Sequence, residues 1–244
     1  MPRKKKVVEE TNEEINKLKE LGLSTEKLFD AEIWIDCGIQ FIEEALGTLP
    51  DERDVLKDFV QPHDDSVPKE TLMDELDAVE IRDTSEDDAD LAKVTVFPRF
   101  ENGEPFSYDY QWKGFFKDSC GMLRDIKGMK SSALKAYKKK IDGQVIVEPR
   151  KIPFFMPEGS KMGISQRPLR ASTAQGERIA IATSETIPEG TKVFFRVIVF
   201  KKEFVPMVKE WLLYGVRRGT FQWRNSGKGR FKLIKFEVDG EDQL

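Results

Sequence analysis

The stretch KVFFRVIVFKKEFVPMVKEWLLYGVRRGTFQWRNSGKGRFKLIKFEV, residues 192–238, contains the pattern of a strand, a helix and a second strand. Residues 192–200 are mostly apolar, as in a buried strand, and residues 229–238 alternate apolar and polar side chains at the strand period of two. Apolar residues at three-and-four spacing predict an amphipathic helix between them: Met207, Val208, Trp211 and Leu212. Because helices often end at a glycine, we expect this helix to end near Gly215 or Gly219.

The rest of the chain adds further strands and helices to this unit. AEIWIDCGIQF at 31–41 alternates like a half-buried strand, and KVTVFPRF at 93–100 predicts a strand ending at Pro98. YDYQWKGFFKDSCGMLRDI at 108–126 is typical of a helix, and SSALKAYKKKI at 131–141 of a basic helix with a serine cap. Strands are also expected at 143–154, where prolines favour a sheet edge, and in the run that ends with the strand at 192–200. The order predicts an α+β fold with a modified RRM or ferredoxin-like βαββαβ core.

The domain organisation follows from shifts in composition along the chain. Residues 1–30 predict an N-terminal helical arm, and residues 31–238 a single α+β domain. We expect an acidic insertion at 43–92, which includes short helices, and a basic insertion at 127–175. Residues 239–244 form an acidic tail.

Charge is distributed unevenly over the 244 residues, although the formal net charge is only −4. Residues 40–92 hold eighteen acidic and four basic side chains, whereas residues 109–178 hold seven acidic and fifteen basic ones. Residues 209–235 hold one acidic and eight basic side chains. A basic surface of this kind favours a polyanionic partner. The acidic segment could mimic nucleic acid, shield the basic groove, dock a basic partner, or serve as a solvated insertion.

Composition also excludes several classes of site. Two cysteines and the single His63 leave no disulfide framework and no zinc-ligand pattern, so we expect neither a metal nor a cofactor. The basic N-terminus leads into acidic residues, and no apolar run approaches a membrane span. The sequence therefore predicts a cytoplasmic protein.

The glycine-rich segment FQWRNSGKGRF at 221–231 is a candidate phosphate-binding loop. Backbone N–H groups could face a phosphate while Arg224, Lys228 and Arg230 neutralise its charge. The alternative is a plain connection in which Gly227 and Gly229 permit positive φ.

Other basic and aromatic residues are candidates for contacts with nucleic acid, each with a structural alternative. The arginines of QRPLRASTAQGER could contact phosphates, and the alternative is an exposed hairpin loop. The lysines of KAYKKK could line the path of a nucleic-acid backbone, and the alternative is a solvated helix face. The basic candidates beyond the loop are Lys113, Lys117, Lys135, Lys138, Lys139, Lys140, Arg167, Arg170, Arg178, Arg217 and Arg218. The stacking candidates are Tyr108, Tyr110, Trp112 and Trp223, for which burial is the alternative.

Three motifs resemble those of the RAMP superfamily, the RRM-like proteins that include the backbone subunits of CRISPR effector complexes. YQWKGFFKDSCGMLR at 110–124 resembles their strand-to-helix segment, IPEGTKVFFRVIVF at 187–200 their Pro-x-Gly-Thr strand, and WRNSGKGRFK at 223–232 their glycine-rich loop. The whole chain also resembles uncharacterised bacteriophage and prophage proteins. The resemblance implies a modified RRM fold that binds single-stranded nucleic acid, often as repeated subunits along a strand. No match to the family's catalytic aspartate or histidine is found, so catalysis is not expected.

The sequence thus predicts a non-catalytic protein that binds single-stranded RNA or DNA, as a homo-oligomer or as a subunit of a larger complex. If it is phage-encoded, it would act in the host bacterial cytoplasm. The alternative is a phage-encoded interaction protein or inhibitor that engages a host protein through the acidic surface of residues 40–92. A Mg²⁺ nuclease is a third possibility, for which no carboxylate spacing was found.

Overall fold

The structure of the protein, a computed structural model, describes residues 16–50, 94–173 and 176–244, with the backbone alone for residues 169–180. The helices expected near 51–60 and 69–79 and His63 lie outside the described residues. The described strands, in chain order, are β1 (Ile33–Phe41), β2 (Ala45–Leu46), β3 (Leu49–Pro50), β4 (Val94–Val96), β5 (Phe106–Tyr108), β6 (Val145–Glu148), β7 (Lys151–Pro153), β8 (Gly163–Thr173), β9 (Gly176–Ile187), β10 (Lys192–Val199), β11 (Phe231–Val238) and β12 (Glu241–Asp242). The described helices with both ends defined are α1 (Asp109–Leu123), α2 (Tyr137–Gln144), α3 (Phe204–Arg218) and the 3₁₀ turns Lys130–Ala133 and Arg224–Ser226.

A five-stranded sheet, in the order β12–β11–β1–β10–β6, forms the centre of the molecule, and every neighbouring pair is antiparallel. In β1 the alternation of the sequence places Ile35, Cys37 and Ile39 in the core, as the pattern predicted. The protein is α+β with mainly antiparallel sheets.

The helices α1 and α3 pack against this sheet and against each other. Trp112 of α1 and Trp211 of α3 are fully buried in one hydrophobic core with Phe195 and Phe231 of the sheet. At Gly215, α3 approaches β11 so closely that an added Cβ would stand 2.3 Å from the ring of Phe231. This close contact fixes the position of α3 on β11, and with it the start of the loop that connects them.

A second sheet has the strand order β2–β9–β4–β3, with β8 also paired to β9. Ala45 and Leu46 of β2 are buried and pair with β9. The acidic insertion expected from residue 43 therefore does not begin as a surface element; its first apolar residues form part of the protein's packed interior. Two-residue strands are too short to show a period in the sequence.

The N-terminal segment, which we define as residues 16–24, lies on the sheet face opposite α1 and α3. Residues 16–20 are helical, and Leu18 and Leu23 pack on Phe194 of β10. Ser24 Oγ donates a hydrogen bond to Glu148 Oε1 at 3.0 Å. The described part of the predicted arm is therefore packed onto the central sheet.

Two further expectations need correction. The serine-capped helix at 131–141 is split into a 3₁₀ turn and α2, because Ala136 adopts a left-handed conformation (φ 51°) before Tyr137. The expected basic insertion 127–175 contains β6, a member of the central sheet, so these residues do not form a peripheral unit. Of the two glycines proposed to end α3, Gly219 does so (φ 76°).

Both cysteines, Cys37 and Cys120, are free and buried. Burial raises the pKa of each thiol, that of Cys37 well above its ordinary value. In the part of the chain that the structure describes, no helix is both long enough and apolar enough to cross a membrane.

Candidate nucleic-acid interface

The glycine-rich loop, residues 219–230, is a closed loop between α3 and β11. Thr220 N donates to Gly229 O at 3.0 Å, which joins the two ends of the loop. A Cβ on Gly219 would stand 2.3 Å from Lys228 O, and one on Gly229 would stand 2.3 Å from Thr220 O. Both glycines also have positive φ, so this crossing requires residues without a side chain.

Two aromatic residues of the loop have left-handed backbone conformations, which are uncommon outside glycine. Phe221 (φ 62°) is buried and packs on Phe41, Phe97 and Trp112. Trp223 (φ 55°) is 39% exposed. Phe221 therefore anchors the loop in the core, and the turn that follows presents Trp223 at the surface.

Arg167 of β8 lies over the exposed tryptophan. Its Cζ is 4.6 Å from the centre of the Trp223 ring, and its Nη2 donates to Gln222 Oε1 at 2.9 Å. Its Nη1 donates to Ser184 Oγ at 3.2 Å. Among the described residues no carboxylate pairs with Arg167, and burial lowers the pKa of its guanidinium.

We call this group of Arg167, Ser184, Gln222 and Trp223 the Arg167 platform. Thr95 extends it, because Thr95 Oγ1 lies 2.8 Å from Ser184 Oγ. The platform combines a guanidinium, an amide, two hydroxyls and an indole face within contact distance of each other. Such groups suit phosphate, sugar and base contacts in a single-stranded nucleic acid.

The other cations of the loop region are paired with carboxylates. Arg218 donates two hydrogen bonds of 2.6 and 3.2 Å to Asp118, and this hydrogen bonding raises the pKa of Arg218. Arg224 Nε is 3.5 Å from the same carboxylate. Lys228 pairs with Glu44, and Arg230 Nη2 donates to Glu43 Oε1 at 2.8 Å. Of the three cations predicted to take a phosphate, Lys228 and Arg230 each pair with their own carboxylate, and Arg224 shares Asp118 with Arg218.

The remaining basic candidates are spread over other elements. Lys117 pairs with Asp142 Oδ1 at 2.5 Å, and Lys113 Nζ lies 3.5 Å from Asp142 O. Lys135, Lys138, Lys139 and Arg217 are exposed, and Lys140 is partly buried. Arg170 and Arg178 lie on β8 and β9, paired with Ile179 and Ala171 respectively, and their side chains are not described.

Two of the four stacking candidates are unavailable. Trp112 is 0% exposed and donates through Nε1 to Ser107 Oγ at 2.9 Å, and Tyr108 is 1% exposed. Tyr110 is 38% exposed, with its ring stacked 5.3 Å from that of Tyr108 and a further contact to Arg150. The alternative of burial thus holds for Trp112 and Tyr108, and within this set Tyr110 and Trp223 could present a ring face to a base.

Several residues of the interface were not predicted. Gln222 lies within the glycine-rich loop and could have been noticed as a polar residue between two aromatics. Ser184 reaches Arg167 through the pairing of β8 with β9, and Thr95 reaches Ser184 through the pairing of β4 with β9. Asp118 faces the loop because α1 packs beside α3. No local signal marks these contacts. In the ranges 16–50, 94–173 and 176–244 no group of three or more His, Cys, Asp or Glu side chains is placed to hold a metal ion.

Comparisons with known proteins give a likeness in fold. No protein-family model matches the chain, and no curated protein matches it. Among solved structures, it is similar to a chain of the cryo-EM structure of the Type III-B Cmr-beta bound to cognate target RNA, with a TM-score of 0.50 and 13% identity. The match covers 96% of this chain and 66% of that chain, so this protein spans just under two thirds of its length. At this identity the likeness shows a shared fold alone.

Proposed function

We propose that the protein is a non-catalytic binder of single-stranded nucleic acid, with RNA favoured over DNA as the ligand. It contacts the nucleic acid through the Arg167 platform. The single observation that carries this proposal is an arginine that lies over an exposed tryptophan and has no carboxylate partner among the described residues. An arginine contributes to phosphate attraction and an indole face stacks on bases of any sequence. Arg167 is only partly buried and its hydrogen-bond acceptors are neutral groups, so a phosphate could reach its guanidinium and balance its charge.

The proposal includes an RRM-like core. Leaving out the elements inserted between them, the chain order is β1, α1, β6, β10, α3 and β11, which is strand, helix, strand, strand, helix, strand. The sheet order β11–β1–β10–β6 is the one expected of a ferredoxin-like βαββαβ unit. RRM domains bind RNA on the open sheet face. Here Leu18 and Leu23 cover Phe194 on that face, which favours the loop edge as the interface.

The likeness to a chain from an RNA-bound structure supports RNA as the ligand and a larger complex as the setting. Within this proposal the protein acts in the cytoplasm, as a homo-oligomer or as one subunit, without metal or cofactor. A phage origin stays a prediction, and the acidic segment proposed to engage a host protein lies mostly outside the described residues.

The test is a titration of fluorescent single-stranded RNA and DNA, followed by anisotropy over a range of NaCl concentrations. We expect binding that weakens steeply with salt, because phosphate contacts release counterions. Trp223→Ala should weaken binding by about 1–3 kcal/mol, the usual value of one stacked base. Leu213→Ala, which removes another exposed apolar side chain, should leave binding unchanged. No binding by the wild-type protein at low salt would contradict the proposal.

A further inference from the structure

Glu43 and Glu44 directly follow β1 and lie against the ends of the glycine-rich loop. Ile42 N and Glu43 N donate to Arg230 O at 2.9 and 3.3 Å, and Gly229 N donates to Glu44 O at 2.8 Å. These backbone hydrogen bonds do not depend on the charge of either side chain. The position of the two glutamates is therefore fixed by the fold.

Each glutamate side chain pairs with one cation of the loop, Glu44 with Lys228 and Glu43 with Arg230. The four side chains are between 25% and 40% exposed. Ion pairs as accessible as these contribute about 0–1 kcal/mol. A phosphate could therefore replace either carboxylate at small cost.

Asp118 differs from the two glutamates. Its side chain is 14% exposed and holds Arg218 through two hydrogen bonds, so its removal would leave a cation without its partner in a less accessible place. We therefore assign Asp118 to the support of the loop, and we restrict the inference to the two exposed pairs.

We propose that Glu43 and Glu44 limit the affinity and the salt dependence of nucleic-acid binding, because they occupy Lys228 and Arg230 in the free protein. This inference rests on the proposed function and concerns its regulation. Binding at the loop is then an exchange in which phosphate oxygens replace carboxylate oxygens. The phosphate releases its condensed counterions, but the displaced carboxylate becomes a free anion that attracts cations again, so the net release of counterions is smaller.

The test compares the wild-type protein with Glu43→Gln/Glu44→Gln by anisotropy, with a fluorescent oligouridine of about 20 nucleotides, longer than the usual single-strand site. Glutamine keeps the shape and the hydrogen-bonding capacity of the side chain and removes the charge. Each freed cation should steepen the slope of log K against log salt concentration by about 0.7, so by about 1.4 for both. Glu44→Gln alone should give about 0.7, which keeps the proposal testable if the double variant folds poorly.

The matched control is Glu104→Gln/Glu237→Gln. It makes the same change in net charge and also frees two lysines, Lys17 and Lys235. Glu237 lies six residues along β11 from Phe231, at a distance of about 20 Å from the loop. An equal change of slope in this control would overturn the inference, since general charge would then explain it. An unchanged slope in Glu43→Gln/Glu44→Gln would overturn it as well.

A double-mutant cycle gives a second, independent readout. Lys228→Gln should weaken binding little in the wild-type background and by several-fold more in the Glu44→Gln background, where Lys228 is free. Additive effects would contradict the exchange while leaving the proposed function intact. No binding at low salt by the wild-type protein or by any variant would overturn both proposals.

Discussion

Arg167 and Arg196 are both stacked on a tryptophan, but their charges are balanced differently. Arg196 Cζ is 4.1 Å from the Trp34 ring, and Asp36 accepts two hydrogen bonds from Arg196 at 2.7 and 3.1 Å. Arg167 has an amide and a hydroxyl as its hydrogen-bond acceptors. The same local geometry thus has a structural role in one place and leaves an available positive charge in the other.

We expect Arg167→Gln to weaken the binding of single-stranded RNA by about fivefold to tenfold at low salt and to reduce the salt slope by about 0.7, the effect of one lost phosphate contact. Arg196→Gln removes the same charge from a guanidinium that Asp36 already neutralises, so its salt slope should match the wild type. The measurement is the anisotropy titration, with thermal melts to confirm that both variants fold. Equal loss in both would argue against a special role for Arg167.

At the level of elements, the sequence predicted those whose pattern is long and regular. The alternation of Ile35, Cys37 and Ile39 identified β1, and the apolar spacing around Trp211 identified α3, because each pattern extends over more than two periods. The break at Ala136 was missed, because an alanine carries no signal for a left-handed conformation. For Trp112 the sequence did carry a signal, because Phe115 and Phe116 follow it by three and four residues, the spacing of one buried helix face.

Two helix glycines provide a matched test of packing. Gly114 of α1 has nothing within 4 Å of an added Cβ, whereas Gly215 of α3 would place one 2.3 Å from the Phe231 ring. Gly114→Ala should raise the free energy of unfolding by about 0.5–1 kcal/mol through helix propensity. Gly215→Ala should lower it by about 1–3 kcal/mol through overpacking. Urea denaturation measures both; a stabilised Gly215→Ala would show that β11 can move away from α3.

On the scale of the whole molecule, contacts between residues far apart in sequence join the ends of the chain to the sheets. Lys17 pairs with Glu104, and Lys27 pairs with Asp239 at 2.7 Å. The pair of Lys228 with Glu44 joins residues 184 positions apart. A pattern within a short window holds no information on such pairs, so the charge asymmetry of the sequence was visible but its internal neutralisation was not.

The pair of Lys17 with Glu104 should make the attachment of the N-terminal segment sensitive to acid. The hydrogen bond from Lys17 lowers the pKa of Glu104 in the folded protein. A depressed carboxyl pKa contributes stability above the pKa of the unfolded chain, and that stability is lost as the pH falls through the folded value. Glu104→Gln should therefore lower the melting temperature at pH 7, and the difference from wild type should vanish once the pH falls below the lowered pKa of Glu104. A difference independent of pH would contradict this assignment.

The rates at which the two buried thiols are alkylated report how often the structure around each of them opens. Only the thiolate reacts with alkylating reagents, and burial both raises the pKa of Cys37 and Cys120 and keeps reagents away. Their modification must then wait for the structure around them to open. Because Cys37 belongs to the central sheet and Cys120 to α1, their relative labelling rates report whether sheet and helix separate together or one after the other.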